Sequence, residues 1–119
     1  MQSYKDLIVW QKSITLVTAV YLLTENFPKS ELFGLTSQMR RSAVSIPANL
    51  AEGYSRKHRG EYVQFARIAY GSGAELETHL IITQNLKLAD SSRIQEIQDM
   101  LDEVMRMLNK LISSLNPKP

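Results

Sequence analysis

The sequence predicts an all-α fold, an antiparallel up-and-down four-helix bundle with a kinked second helix. Three observations predict it. Four segments carry apolar residues at alternating steps of three and four, short linkers separate them, and no segment shows the period of two that a strand requires. At 119 residues the chain reads as one domain, residues 1–119, able to form a core yet small enough to gain stability from oligomerisation.

The first helix is expected over about residues 6–26. Leu7, Trp10, Ile14, Val17 and Tyr21 form one apolar stripe, and Leu16, Val20 and Leu23 form an adjoining one. Together they make a face wide enough for two neighbours. Asp6 suits the N-cap, and Phe27-Pro28 ends the helix because the residue before proline avoids the helical region. Residues 28–35 read as a loop with a short turn. The second helix covers about residues 36–54, with Leu35, Met39, Ala43, Ile46 and Leu50 on its buried face. Pro47 lies inside that pattern, where it deletes one backbone donor and crowds the preceding turn. The apolar spacing continues across it, so a kink near residues 43–47 is expected and not a stop. Gly53 suits the last turn.

The third helix is expected over about residues 60–88, with Tyr62, Phe65, Ala69, Ser72, Leu76, Leu80 and Thr83 carrying its pattern. Gly71 and Gly73 sit in its middle and together cost about 2 kcal/mol against alanine. Close approach of another helix would offset that cost; the alternative is a break into two shorter helices. The fourth helix, about residues 92–115, repeats Ile94, Ile97, Leu101, Val104, Leu108, Leu111 and Leu115 without a miss. Ser92 with Gln95 three residues on reads as a capping box, Asn116-Pro117 as the stop, and Lys118-Pro119 as a loose tail.

No apolar run approaches the roughly 18 residues that cross a bilayer, and the N-terminal residues lack the layout of a signal peptide. With no cysteine there is neither a disulfide nor a thiolate metal site, and a cytoplasmic location without membrane contact is expected. A net charge of +2 is too small to argue for nucleic acid, but its distribution is uneven. Residues 37–70 hold Arg40, Arg41, Arg56, Lys57, Arg59 and Arg67 against only Glu52 and Glu61. The densest run is Tyr54-Ser55-Arg56-Lys57-His58-Arg59. There Arg56, Lys57 and Arg59 are candidate phosphate ligands, and Tyr54 is a candidate stacking platform for unpaired bases. The other reading of the run is a solvated loop between helices.

Chemistry finds less support. Glu75 and His79 share a helix face and Glu52 can approach from the second helix. Di-iron bundles, however, need Glu-x-x-His motifs that this chain lacks, so no metal and no cofactor are expected. Ser42, Ser45, Ser55 and Ser72 have no histidine–carboxylate partner at a recognised spacing, and no catalytic residue is assigned. Glu52, Glu75 and Glu77 can pair with Arg40, Arg41 and Arg67 across neighbouring helices, mostly as surface pairs of small weight.

Three segments carry a resemblance: Gln38-Met39-Arg40-Arg41-Ser42, Ser45-Ile46-Pro47-Ala48-Asn49-Leu50-Ala51-Glu52-Gly53 and Ala69-Tyr70-Gly71-Ser72-Gly73-Ala74-Glu75-Leu76-Glu77. With Asp6 to Lys12 and Phe27-Pro28, they make the chain resemble the bacterial four-helix-bundle family first noticed in intervening sequences of 23S ribosomal RNA genes. That family looks related to the accessory variability protein of diversity-generating retroelements, a barrel-like homopentamer that binds nucleic acid and a reverse transcriptase. Arg40, Arg41, Pro47, Asn49, Glu52, Gly53, Gly71, Ser72 and Glu75 occupy the family's signature positions. Gly73 stands where a larger apolar residue is common, and His58 where a serine or threonine cap is usual. The resemblance implies the bundle and a homo-oligomer, a pentamer, with the signature residues at subunit interfaces or in structural roles. It does not imply contact with ribosomal RNA. The function expected is a non-enzymatic oligomeric bundle that binds an RNA or DNA backbone or acts as an assembly scaffold. The alternative is a protein–protein adaptor without nucleic-acid contact.

Overall fold

The computed structural model describes residues 3–116; Met1, Gln2, Pro117 of the expected stop and the expected tail Lys118-Pro119 lie outside them. Four helices carry the fold: α1 (Ile8–Thr24), α2 (Ser37–Ser55), α3 (Arg59–Asn85) and α4 (Ser91–Leu115). Each packs on its neighbour in the chain, and α1 closes the square against α4. Helix direction therefore alternates around a rod of 46 × 23 × 21 Å, with α1 diagonal to α3 and α2 diagonal to α4. One core runs along the axis, built from Leu16, Val20 and Leu23 of α1, Met39, Ala43, Ile46 and Leu50 of α2, Leu76 and Leu80 of α3, and Leu101, Val104 and Leu108 of α4.

Helix α1 departs from expectation in its face and its start. The buried stripe is Val9, Ser13, Leu16, Val20 and Leu23, whereas Ile14 and Tyr21 are exposed and Leu7, Trp10 and Val17 are half-buried. The two stripes lie side by side on the helix, and the one holding the β-branched and leucine residues of the second half faces the axis. Asp6 does not cap α1. It ends a short turn, Tyr4–Asp6, which Ser3 caps by accepting from the Lys5 N–H, and Leu7 occupies the N-cap without a side-chain bond. After Thr24 the chain passes buried Phe27, one tight turn at Lys29–Glu31 and one wide turn at Leu32–Thr36. Gly34 (φ −112°, ψ −109°) leaves the helical path in that wide turn.

Helix α2 buries Met39, Ala43, Ile46 and Leu50 as its periodicity predicts, and it runs unbroken through buried Pro47. Helix α3 is also unbroken, so the alternative of two shorter helices does not hold. Its glycines have different surroundings. A Cβ on Gly73 would overlap the Met105 sulfur of α4, so that glycine makes room for the Met105 side chain against α3. A Cβ on Gly53 of α2 would lie 2.7 Å from the Cβ of Phe65 on α3, which no real contact allows. Gly71 has nothing within 4 Å of a built Cβ and faces solvent.

The helix ends use motifs that composition hides. At the end of α3 the Leu88 N–H bonds to the Thr83 carbonyl and the Lys87 N–H to the Gln84 carbonyl, both at 3.1 Å. Lys87 has φ 55°. This is the paired C-terminal closure usually built on glycine, here built on lysine. Helix α4 begins one residue early, with Asp90 at the N-cap. The expected capping box does not form: the Ser92 hydroxyl donates to the Asp90 carboxylate, and the Gln95 amide donates to Asp99. Lys87→Gly removes the left-handed strain of a side-chain-bearing residue but adds unfolded-state entropy. The expected net effect is a gain of about 0.5–1 kcal/mol, read from denaturant midpoints at unchanged slope.

Candidate functional site

The basic run at the α2–α3 junction is held by partners within the chain. Arg56 donates from Nε to Glu52 at 2.8 Å and from a terminal nitrogen to Glu61 at 3.3 Å, and its guanidinium lies 5.2 Å from the Phe65 ring centre. Both ion pairs are solvent-exposed, so they contribute little stability, yet they cancel the charge of Arg56 locally. Arg59 crosses to the far end of the bundle's last helix. It donates to the carbonyls of Leu115 at 2.7 Å and Ser114 at 2.5 Å, while Arg67 donates to Asn116 Oδ1 at 3.0 Å. The last carbonyls of a helix lack intrahelical donors and carry partial negative charge, and a guanidinium answers both. Lys57 is exposed, takes φ 60° just past the end of α2, and has no partner among the described residues. Tyr54 is half-buried and packs edge-on against Tyr62 at 5.9 Å, so its ring is part of the wall between α2 and α3.

Tyr62 itself carries a buried hydroxyl without a hydrogen-bond partner. Burial, and then proximity to Tyr54, pushes its pKa above the ordinary tyrosine value. A raised pKa on a group that is neutral when protonated gives stability that is complete below that ordinary value and lost as pH rises through the shifted one.

The signature residues split between the α1–α2 contact and the α2–α3 seam. Half-buried Arg40 donates from Nε to Thr24 Oγ1 at 2.9 Å and lies 4.5 Å from the Tyr21 ring centre, anchoring α2 to the C-terminal turn of α1. Asn49 donates to the Ser45 carbonyl at 2.8 Å and to the Ser45 hydroxyl at 2.9 Å. The Ser45 hydroxyl in turn shares a hydrogen bond of 2.8 Å with Ser72, so one polar chain crosses from α2 to α3. Buried Pro47 lies between the two ends of that chain on α2. None of the expected cross-helix pairs between Arg40, Arg41 or Arg67 and Glu52, Glu75 or Glu77 forms among the described residues. Arg40 has turned to α1, Arg67 to Asn116, and Glu52 to Arg56; Arg41, Gly71 and Glu75 face solvent. His79 Nδ1 approaches the buried Ser42 hydroxyl at 3.5 Å and is not joined by Glu52.

Sequence reasoning missed one surface. A groove of about 510 Å³ lies where α1, the wide turn and α2 meet, lined by Tyr21, Leu32, Phe33, Arg40, Arg41 and Val44 among others. Phe33 is 93% exposed at its edge. The signal was present as two large apolar residues, Leu32 and Phe33, inside a segment read as loop. Arg59→Gln leaves the α4 carbonyls with a weaker donor and no charge. The expected result is several-fold faster amide exchange in the last turn of α4, with little change elsewhere and a small drop in melting temperature.

The comparisons with known proteins agree with this fold. A crystal structure from Bacteroides thetaiotaomicron, of a protein of unknown function from the S23 ribosomal protein family, superposes with a TM-score of 0.79. The two are 22% identical over 88% of this chain and 98% of that one, a likeness of fold alone. No curated protein matches the sequence. The family model of the 23S rRNA-intervening sequence protein matches residues 5–110, with the signature segments of α2 and α3 inside the match, and the chain belongs to that family.

Proposed function

We propose that this chain is a non-enzymatic helical scaffold that assembles with copies of itself. The observation that carries the reading is the apolar surface at the α1–α2 end. Phe33 stands in solvent with Leu32, Tyr21 and Val44 exposed around it. Contiguous exposed apolar side chains rimmed by charge mark interaction surfaces more often than accidents of folding. Gly71 adds support, since a solvent-facing glycine inside a helix costs about 1 kcal/mol against alanine and no contact within the chain offsets it. No helix among the described residues is long and apolar enough to cross a membrane, and a cytoplasmic location fits the absence of cysteine.

The signature residues fit a scaffold better than a ligand site. Arg40, Asn49, Ser72 and Gly53 are engaged in holding helices together, and two of the three candidate phosphate ligands are engaged as well. A pentamer is the assembly that the family resemblance implies. Light scattering coupled to size exclusion is expected to give about five times the 13.5 kDa chain mass. A monomer at micromolar concentration overturns the scaffold reading, and a different multiple overturns only the pentamer.

Contact with an RNA or DNA backbone is the second reading, and exposed Lys57, repeated around an oligomer, is what favours it. Under that reading, binding to a generic oligonucleotide weakens as salt rises, with a log–log slope of about 0.7–0.9 per neutralised phosphate. Lys57→Gln then lowers the slope across unrelated sequences at unchanged oligomer mass. Absence of binding at low salt removes this reading and leaves the protein–protein adaptor.

A further inference from the structure

We infer that Phe33 and Arg41 of one copy dock into the groove between α3 and α4 of the next, so that the self-contact is head-to-tail. The inference rests on the self-assembly proposed above and names the two surfaces involved. The receiving groove has a volume of about 280 Å³, and its lining includes Leu101, Ile81, Glu77, Asp99 and Asp102. Leu101 is 2% exposed and forms an apolar floor, while Ile81 is 50% exposed at the side. Gln95 and Gln98 join the three carboxylates in making the rest of the lining polar, so Leu101 and Ile81 are the apolar contacts that the open groove offers a phenylalanine ring.

Charge makes the pair complementary. The residues lining the Phe33 groove carry two positive charges and no negative one. Arg40 is engaged by Thr24 and Tyr21, which leaves Arg41 exposed and without a partner among the described residues. The residues lining the α3–α4 groove carry three negative charges and no positive one. Asp102 is paired with Arg106 and Asp99 accepts from Gln95, whereas Glu77 has no partner among the described residues. An apolar knob beside a free guanidinium thus faces a groove whose apolar floor at Leu101 lies beside a free carboxylate. Two copies joined through the same Phe33 surface would instead set one basic groove against another, and like charges brought together oppose association.

Topology places the two surfaces correctly for a repeated contact. In the square of helices the α1–α2 edge is opposite the α3–α4 edge. Arg41 of the first surface also stands level with Ile81 of the second: the Thr83 hydroxyl donates to the Met39 sulfur and Ser42 approaches His79, each at 3.5 Å, and Arg41 lies between Met39 and Ser42 on α2. A contact between different patches on opposite faces propagates side by side and closes into a ring when the rotation per copy divides a full turn.

The chain has no cysteine, so cross-linking reports the pairing directly. Phe33→Cys combined with Ile81→Cys is expected to give disulfide-linked multimers on mild oxidation, and neither single variant should. In parallel, Phe33→Ser and Arg41→Glu, both at exposed positions, are expected to raise the dissociation constant of the oligomer at least tenfold at unchanged helical content. Adding Glu77→Arg to Arg41→Glu is expected to restore most of that loss. A monomeric wild-type protein overturns the scaffold reading and this one together. A wild-type oligomer that survives Phe33→Ser and Arg41→Glu, or a Phe33→Cys single variant that cross-links to itself, overturns the head-to-tail pairing and leaves the scaffold reading in place.

Discussion

The seam between α2 and α3 is the constraint on which the other placements depend. Gly53 lets the backbone of α2 come down on Phe65, because any side chain there would collide with its Cβ. Further along, the Ser45–Ser72 hydrogen bond and the Thr83–Met39 contact set how far one helix slides against the other. These contacts matter more for register than for net stability, because a slip would break the Ser45–Ser72 bond between two half-buried hydroxyls, while Thr83 keeps its bond to the His79 carbonyl. With that register set, Arg59 at the start of α3 reaches the end of α4, and the wide turn before α2 stands beside the C-terminal half of α1. Gly53, Ser45 and Ser72 of the signature segments are therefore explained within one chain, whereas Gly71 has nothing within 4 Å of a built Cβ.

The basic run shows how a pattern of charge in sequence differs from a pattern of charge on a surface. Read linearly, Arg56, Lys57 and Arg59 are three adjacent cations. In the fold they point three ways: one to two carboxylates, one to solvent, and one to a helix terminus more than fifty residues later in the chain. Guanidinium groups suit these tasks because their planar fork bonds two acceptors at once. The asymmetry that survives is coarser. The α1–α2 edge is basic at its groove and the α3–α4 edge is acidic, which matches the excess of acidic residues from position 71 onward.

What was legible in the sequence follows from range. Helix number, type and approximate ends are set by local periodicity, so Met39 to Leu50 and Ile94 to Leu108 were placed correctly from spacing alone. On α1 two apolar stripes ran in parallel, and only the packing of three other helices selects Leu16, Val20 and Leu23 over Ile14 and Tyr21. The end of α3 was set too late because its left-handed residue is Lys87, and lysine carries no sequence signal for that conformation. The partners of Arg40, Arg59 and Arg67 are separated from them by 16, 56 and 49 positions, beyond anything that spacing on one helix can show. Phe33 was overlooked for the opposite reason: residues outside a periodic segment were read as loop, although a large apolar residue in a loop is itself informative.

Magnitudes decide what each part of the proposed contact would contribute. Burying a phenylalanine removes about 150–250 Å² from water, which at about 25 cal/mol per Å² is roughly 4–6 kcal/mol before the costs of association. An exposed Arg41–Glu77 pair adds at most about 1 kcal/mol. The aromatic ring would thus supply affinity, and the charge would choose which face it meets. A single such contact is weak, because losing translational and rotational freedom costs about 4–15 kcal/mol. Closing a ring changes that balance. The last contact forms between ends already held together, at a high effective concentration and without a further loss of free translation. The apolar knob, the groove on the opposite edge and the charge beside each act together, where no one of them would be enough, because they let a weak contact repeat until it closes.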